Sequence, residues 1–231
     1  MNYTVQNIGE PLAQDFLRSE WIFGLLMLPV LLYLFVSLYE KYSLIRIIRI
    51  VFNNKFAHTT YRNMSSGTQV FQMLLGLLSL ISIATFMLFA ELHFDIIFYD
   101  LNPPMLWLFN LGLASLAISF RYVVNNIIAG LTRTRNIFRE YFFNISRSYK
   151  LIGIMLMILN FCISYLVSIP DSYLIYSAFA LIAIILVFRV IRLVYIFIIS
   201  RLSLSYMILY LCALEILPVL LAIKYLNGLE H

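Results

Sequence analysis

The run Ser205-Tyr-Met-Ile-Leu-Tyr-Leu-Cys-Ala-Leu-Glu215-Ile-Leu-Pro218-Val-Leu-Leu-Ala-Ile-Lys224 indicates what kind of protein this is. It has about 20 residues, which at a helical rise of ~1.5 Å each would cross a bilayer core of ~30 Å. Glu215 lies near its centre, where an ionised carboxylate is costly unless it is paired, protonated or facing water. The run therefore predicts a membrane-spanning helix with one acidic side chain, whose ionised form is energetically unfavourable at that depth.

The composition of the whole chain agrees with lipid as its main solvent. Hydrophobic residues make up 63% of the 231 and charged residues 12%, whereas soluble domains have roughly 45–50% and 25%. The net charge of +5 comes from basic residues at the ends of apolar runs, which favours an anionic membrane surface over nucleic acid as the partner. Cys162 and Cys212 fall inside apolar segments without a CxxC or Cys/His grouping. No disulfide framework, zinc site or other cofactor is therefore predicted.

Apolar runs of membrane-spanning length predict six transmembrane helices, at residues 21–39, 69–90, 105–120, 151–169, 172–188 and 205–224. They form one membrane domain, 21–228, which follows a polar segment, 1–20, and precedes residues 229–231, which resemble the start of an expression tag. Arg46 and Arg49 lie three residues apart among isoleucines, which predicts an amphipathic helix at the membrane surface. The predicted fold class is all-α: a polytopic bundle of six spans with amphipathic interfacial helices on the cytoplasmic side.

The connecting segments contain three further expectations. The stretch from Leu131 to Lys150 is interpreted as a basic loop. Asn125 and Asn126, close to Gly130, are interpreted as a break in the third helix or as an ordinary cap or turn. The strongly apolar stretch 190–200 allows the fifth helix to continue past its predicted end toward Arg201.

The distribution of basic residues predicts the orientation. The connectors after the first, third and fifth spans hold five, six and three Lys or Arg residues, and those after the second and fourth hold none. By the positive-inside rule the basic connectors are cytoplasmic. Both termini are then expected on the outer, periplasmic side of a bacterial inner membrane.

Two segments resemble a known family. Residues 206–220, Tyr-Met-Ile-Leu-Tyr-Leu-Cys-Ala-Leu-Glu-Ile-Leu-Pro-Val-Leu, together with Phe52-Asn-Asn-Lys-Phe56, resemble an uncharacterised integral-membrane family of Bacteroidota, a domain of unknown function. The resemblance covers most of the chain and is most specific over residues 206–218. It implies a multi-pass bacterial inner-membrane protein in which Glu215 and Pro218 belong to the family pattern. It implies no reaction and no substrate.

Glu215 and Pro218 are the first candidate site. Pro218 removes a backbone donor beside the carboxylate and favours a bent helix, which suits a proton-linked or cation-linked site. The alternative is a neutral Glu215 that hydrogen-bonds a neighbouring helix and holds the bundle together. The candidate partners for this acid are Arg121, Arg189, Arg192 and Asn160.

Two further groups are candidate sites. Glu91 and Asp95 are four residues apart, so they share a helix face and could bind a hard metal cation, or could be solvated charges at a helix end. Arginines could bind the phosphate of a lipid through paired hydrogen bonds, or could only satisfy topology and bind bulk anionic headgroups. The lipid-phosphate candidates are Arg46, Arg49, Arg133, Arg135, Arg139 and Arg147.

Two functional classes remain open. Walker-type glycine loops, HExxH and GxSxG motifs are missing from the sequence, so no catalytic residue is predicted and an enzyme is disfavoured. The first class is a small transporter or lipid-handling protein that uses a mid-membrane carboxylate. The alternative is a non-catalytic subunit or assembly factor of an envelope membrane complex. The expected partners are membrane lipids with anionic headgroups on the cytoplasmic face, and a second copy or another membrane protein, but no nucleic acid.

Overall fold

The computed structural model describes residues 20–40, 66–94, 102–131, 135–166 and 169–199. These residues form five helices and confirm the all-α prediction. The helices are α1 Glu20–Glu40, α2 Ser66–His93, α3 Pro103–Leu131, α4 Arg135–Tyr165 and α5 Asp171–Ile199.

All five helices contain a segment that is long and apolar enough to cross a bilayer. These candidate spans are Glu20–Leu38, Val70–His93, Pro103–Val124, Ile145–Tyr165 and Asp171–Ile191. The predicted sixth span, 205–224, and the predicted surface helix around Arg46 and Arg49 lie outside the described residues.

The starts of α3 and α5 follow from local chemistry. Pro103 and Pro104 open α3, where the first backbone N–H groups have no helical partner and a missing donor costs little. The Asn102 carbonyl accepts the N–H groups of Met105 and Leu106 at 2.8 and 3.1 Å. Asp171 begins α5, where its negative charge interacts favourably with the helix dipole.

Helices α2 and α4 form the centre of the bundle. Each packs against the other four described helices, whereas α1, α3 and α5 lie around this pair. Buried residues make up 56% of the α2 span and 61% of the α4 span, against 11% for α3. The large apolar side chains exposed on the three outer helices are suited to contact with lipid chains.

Small residues allow the central pair to pack closely. Gly153 of α4 lies directly against Ser79 of α2, since a Cβ built on Gly153 would be 2.3 Å from the Ser79 Cα atom. Membrane helices commonly use small residues in this way, because close backbone approach increases van der Waals contact where water cannot drive association.

Two interpretations of the connecting segments were wrong. Residues 135–150 are not a loop, because α4 begins at Arg135. Basic residues there alternate with aromatic and apolar residues at helical spacing, a pattern that a search for purely apolar runs overlooks. Asn125 and Asn126 mark neither a break nor a cap, because α3 continues through them to Leu131. The extension of the fifth helix is confirmed as far as Ile199.

Candidate functional site

Four basic side chains from three helices gather at one end of the bundle, which we call the basic end. They are Arg121 of α3, Arg147 and Lys150 of α4, and Arg189 of α5. Arg147, Lys150 and Arg189 are only 6%, 8% and 6% exposed. All four lie within candidate spans. Charged side chains in such segments usually face a protein interior or a cavity and mark a functional site.

Tyr149 is the residue around which this cluster is built. Arg121 donates a hydrogen bond from Nη1 to the Tyr149 hydroxyl oxygen at 2.8 Å. The guanidinium carbon of Arg189 lies 5.1 Å from the centre of the Tyr149 ring, which is a cation–π geometry. One phenol therefore joins α3, α4 and α5, and its hydroxyl oxygen accepts while its own proton remains able to donate.

Lys150 connects this cluster to α2. Its Nζ donates a hydrogen bond to Oε1 of Gln72 on α2. Lys150 also lies close enough to Arg147 for the two positive charges to interact. The basic end is thus a meeting point of α2, α3, α4 and α5.

A cavity of about 410 Å³ lies beside the cluster, between α2, α3 and α4. This volume falls within the ~300–1,000 Å³ of typical small-molecule sites. Met73 and Leu77, both in its wall, are 74% and 52% exposed, so the cavity opens on the side of the bundle. Its walls are mostly apolar, and the complete set is Met73, Gly76, Leu77, Ser79, Leu80, Ile118, Arg121, Ile145, Ser146, Tyr149 and Lys150.

Toward the opposite end, buried polar groups bond between α2 and α3. Asn110, which is buried, donates to Glu91 Oε2 at 2.6 Å. The Trp107 indole donates to Thr85 Oγ1 at 3.2 Å. Because an unsatisfied polar group in hydrocarbon is costly, these bonds hold α2 and α3 in register.

A third polar contact joins α2 to α4 inside the bundle. Asn160, 1% exposed, donates from Nδ2 to the Ser82 carbonyl oxygen at 2.9 Å. The Asn160 Oδ1 and Ser82 Oγ atoms have no hydrogen-bond partner in the part of the chain that the structure describes. Buried polar atoms are normally satisfied, so this pair is a candidate contact for a further polar group.

The residues predicted from sequence fall into three groups. Arg121 and Arg189 meet at Tyr149, Arg147 lies near Lys150, and Asn160 is buried further along α4. The backbones of Arg135, Arg139 and Arg192 are helical, but their side chains are not described. The candidates that lie outside the described residues are Arg46, Arg49, Asp95, Arg133, Glu215 and Pro218.

Of the two acids proposed to bind a metal cation, only Glu91 lies within the described residues. Its carboxylate accepts the hydrogen bond from Asn110, and its predicted companion Asp95 is not described. Within the described ranges, no group of three or more His, Cys, Asp or Glu side chains could hold a metal ion.

Sequence reasoning missed most of the residues that build these contacts, among them two amides and two residues of α4. Gln72 and Asn110 are amides inside apolar runs, a signal that could have been used because such groups need partners in lipid. Tyr149 and Lys150 were assigned to a loop, which hid their place on a membrane helix.

Five helices that each contain an apolar segment long enough to cross a bilayer support the assignment of this chain to the helical membrane proteins. The chain belongs to the family described as "Domain of unknown function (DUF4271)", whose profile matches residues 13–226. Comparisons with curated proteins and with solved structures gave no match.

Proposed function

We propose that this protein is a lipid-handling protein that takes the apolar chain of a membrane lipid into the cavity between α2, α3 and α4. The observation that carries the proposal is the cavity itself, about 410 Å³ in volume, with Met73 and Leu77 exposed in its wall. Around a membrane helix the exposed side faces lipid, so a lipid chain could enter sideways without crossing water. The apolar wall would replace the contacts that the chain leaves in the bilayer.

The proposed cellular location and membrane orientation rest on the sequence. We place the protein in the inner membrane of a bacterium of the Bacteroidota, with six spans and both termini periplasmic. The resemblance of residues 206–218 supports the source, and the basic connectors support the orientation. In this orientation the basic end faces the cytoplasmic leaflet, whose anionic lipids are the expected partners.

Filling the cavity tests this function. A Cβ built on Gly76 meets nothing within 4 Å, although Gly76 lines the cavity, so Gly76→Phe can project into the space without a backbone clash. We expect lipid binding to fall by at least about tenfold, the equivalent of ~1.4 kcal/mol. The measurement is covalent labelling by a phospholipid with a photoactivatable acyl chain, with the labelled residues mapped by mass spectrometry.

Gly112→Phe is the matched control. Gly112 also has nothing within 4 Å of a built Cβ, but it lies on α3 away from the cavity wall. It should leave labelling of α2 and α4 unchanged. If Gly76→Phe and Gly112→Phe are labelled alike at the cavity residues, the proposed lipid site is wrong.

A second candidate function is proton-linked or ion-linked transport through Glu215. It is favoured by the two unpartnered oxygens, Asn160 Oδ1 and Ser82 Oγ, inside the bundle. Ser82 lies about 18 Å along α2 from Val70, and Glu215 would lie about 15 Å along the predicted sixth span from Ser205. A protonated carboxyl at that depth could donate to Asn160 Oδ1. A subunit or assembly role is the remaining alternative, in which Glu215 only stabilises contacts between helices.

Two substitutions at Glu215 separate these roles. In the transport case, Glu215→Gln should leave folding intact and abolish a pH-dependent change in conformation, because the amide cannot titrate. In the assembly case, Glu215→Gln should be almost silent, whereas Glu215→Leu should weaken association with the partner. Spin-label distances measured against pH, and the amount of complex recovered from membranes, report the two outcomes. A pH response that survives in Glu215→Gln would exclude the transport role for this acid.

A further inference from the structure

We propose that the basic end makes the cavity selective for a lipid with a phosphate in its headgroup, bound by Arg121, Tyr149 and Lys150. The inference rests on the proposed function and adds the chemistry of the ligand. All three residues belong to the cavity wall. The lipid chain would lie along the apolar wall with its phosphate at these three side chains.

The hydrogen-bond donors of these residues suit phosphate. The Tyr149 hydroxyl oxygen accepts from Arg121 Nη1 at 2.8 Å, so its own proton can be donated to a ligand. The Lys150 ammonium has three donors, of which one is directed to Gln72. A guanidinium, an ammonium and a phenol on one wall match the three terminal oxygens of a phosphate monoester, as in phosphatidic acid, better than the two of a carboxylate.

The charges are complementary to an anion. Arg147 interacts electrostatically with Lys150, and Arg121 and Arg189 share contacts with Tyr149. Like charges held together in a medium of low dielectric repel one another, and an anion among them lowers that energy. The acidic side chains whose burial is described, Glu20, Glu91 and Asp171, lie near the other end of their helices.

The occupant is a lipid and not free phosphate, because the polar donors continue directly into an apolar wall. Leu80, Ile118 and Ile145 line the same cavity as Lys150. A free anion would leave this surface unfilled, whereas a phospholipid fills both parts. Arg189 is not among the residues of the cavity wall, so it acts as a positioning residue that packs over the Tyr149 ring.

The test compares three lipids that carry the same photoactivatable chain. The full-length protein is reconstituted in nanodiscs of digalactosyldiacylglycerol, a bilayer lipid without phosphate, with a small fraction of labelled phosphatidic acid, diacylglycerol or fatty acid. Phosphatidic acid should label the cavity residues at least about tenfold more than the other two, because hydrogen bonds to a charged group are stronger than those between neutral groups. Tyr149→Phe keeps the ring over which Arg189 lies and removes only the hydroxyl, and it should reduce this preference several-fold.

A pair of neighbouring substitutions separates the site from bulk charge. Lys150→Gln and Arg147→Gln each remove one positive charge from the same part of α4, but only Lys150 lines the cavity. The preference for phosphatidic acid should fall in Lys150→Gln and persist in Arg147→Gln. Circular dichroism and size-exclusion profiles confirm that each variant is folded.

Each result has a distinct meaning. Equal cavity labelling by phosphatidic acid and diacylglycerol overturns this inference and leaves the proposed lipid function standing. If the fatty acid labels the cavity as strongly as phosphatidic acid does, any anionic lipid suffices and the assignment to phosphate is overturned. An equal loss in Lys150→Gln and Arg147→Gln assigns the preference to general positive charge and also overturns the inference. Failure of all three lipids to label the cavity overturns the proposed function itself.

Discussion

Replacing Gly153 with alanine is expected to destabilise the protein by about 3 kcal/mol, at the upper end of what overpacking usually costs. The added Cβ would be 2.3 Å from both Cα and Cβ of Ser79 and 3.2 Å from its backbone nitrogen. Real Cβ atoms do not approach other atoms so closely, and the Ser79 Cα belongs to the backbone and cannot rotate away. Helix α2 would have to move away from α4, and every contact of this central pair would change.

The measurement is the free energy of unfolding in mixed micelles, from denaturant titrations of Gly153→Ala and two controls. Gly76→Ala and Gly112→Ala place a methyl group where nothing lies within 4 Å. These controls should be neutral or more stable by up to ~1 kcal/mol, because alanine has the higher helix propensity. Adding Ser79→Gly to Gly153→Ala should restore stability only partly, since the Ser79 Cα remains. A Gly153→Ala variant as stable as the controls would contradict the close crossing.

Replacing Asn110 with leucine is expected to cost about 2 kcal/mol. Asn110 donates to Glu91 Oε2 at 2.6 Å and is 1% exposed. Leucine has a similar size, so the main change is that the half-buried carboxyl of Glu91 loses the donor that the buried Asn110 supplies. Within membranes such bonds contribute up to ~1.7 kcal/mol in double-mutant cycles, and leaving the Glu91 carboxyl oxygen without its donor adds to that.

Substitutions of Glu91 show whether loss of its hydrogen bond causes the lower stability of Asn110→Leu. Glu91→Gln keeps an oxygen that accepts from Asn110 and should lose little stability. The double variant Glu91→Leu with Asn110→Leu removes both polar groups and should recover most of what Asn110→Leu loses, because no buried group is then left unsatisfied. The unfolding free energies of the unaltered protein, Glu91→Leu, Asn110→Leu and the double variant form a double-mutant cycle. A coupling energy near zero would show that this bond does not stabilise the bundle.

The presence of the five described helices could be predicted from the sequence, but the residues at which they begin and end were predicted less well. The apolar runs that start near Trp21 and Ser172 predicted α1 and α5 closely, because their residues are apolar around the whole circumference. The start of α4 could not be predicted in this way. Residues 135–150 alternate basic and aromatic side chains, so their helix is amphipathic and does not stand out in a search for purely apolar segments.

The candidate site was only partly predictable for a different reason. Arg121 and Arg189 were chosen as charges at the ends of short apolar runs, and both lie in the cluster around Tyr149. Nothing in their spacing shows that they meet at a tyrosine from a third helix. The Arg121–Tyr149 contact spans 28 positions and the Lys150–Gln72 contact spans 78. Contacts at such separations depend on how helices pack, which local patterns do not specify.

The amino-acid sequence alone determined that most of this chain is helical and suited to lipid. The free energies of transferring its residues from water to the bilayer add along each apolar run, and this sum does not depend on which helices pack beside the run. Only the tertiary structure decided which side chains share a cavity. That choice depends on the close approach of α2 and α4 at Gly153, which sets the positions of the surrounding helices and places Arg121, Tyr149 and Lys150 on one wall. Packing of this kind is cooperative among distant residues, so it becomes visible only when the helices are assembled.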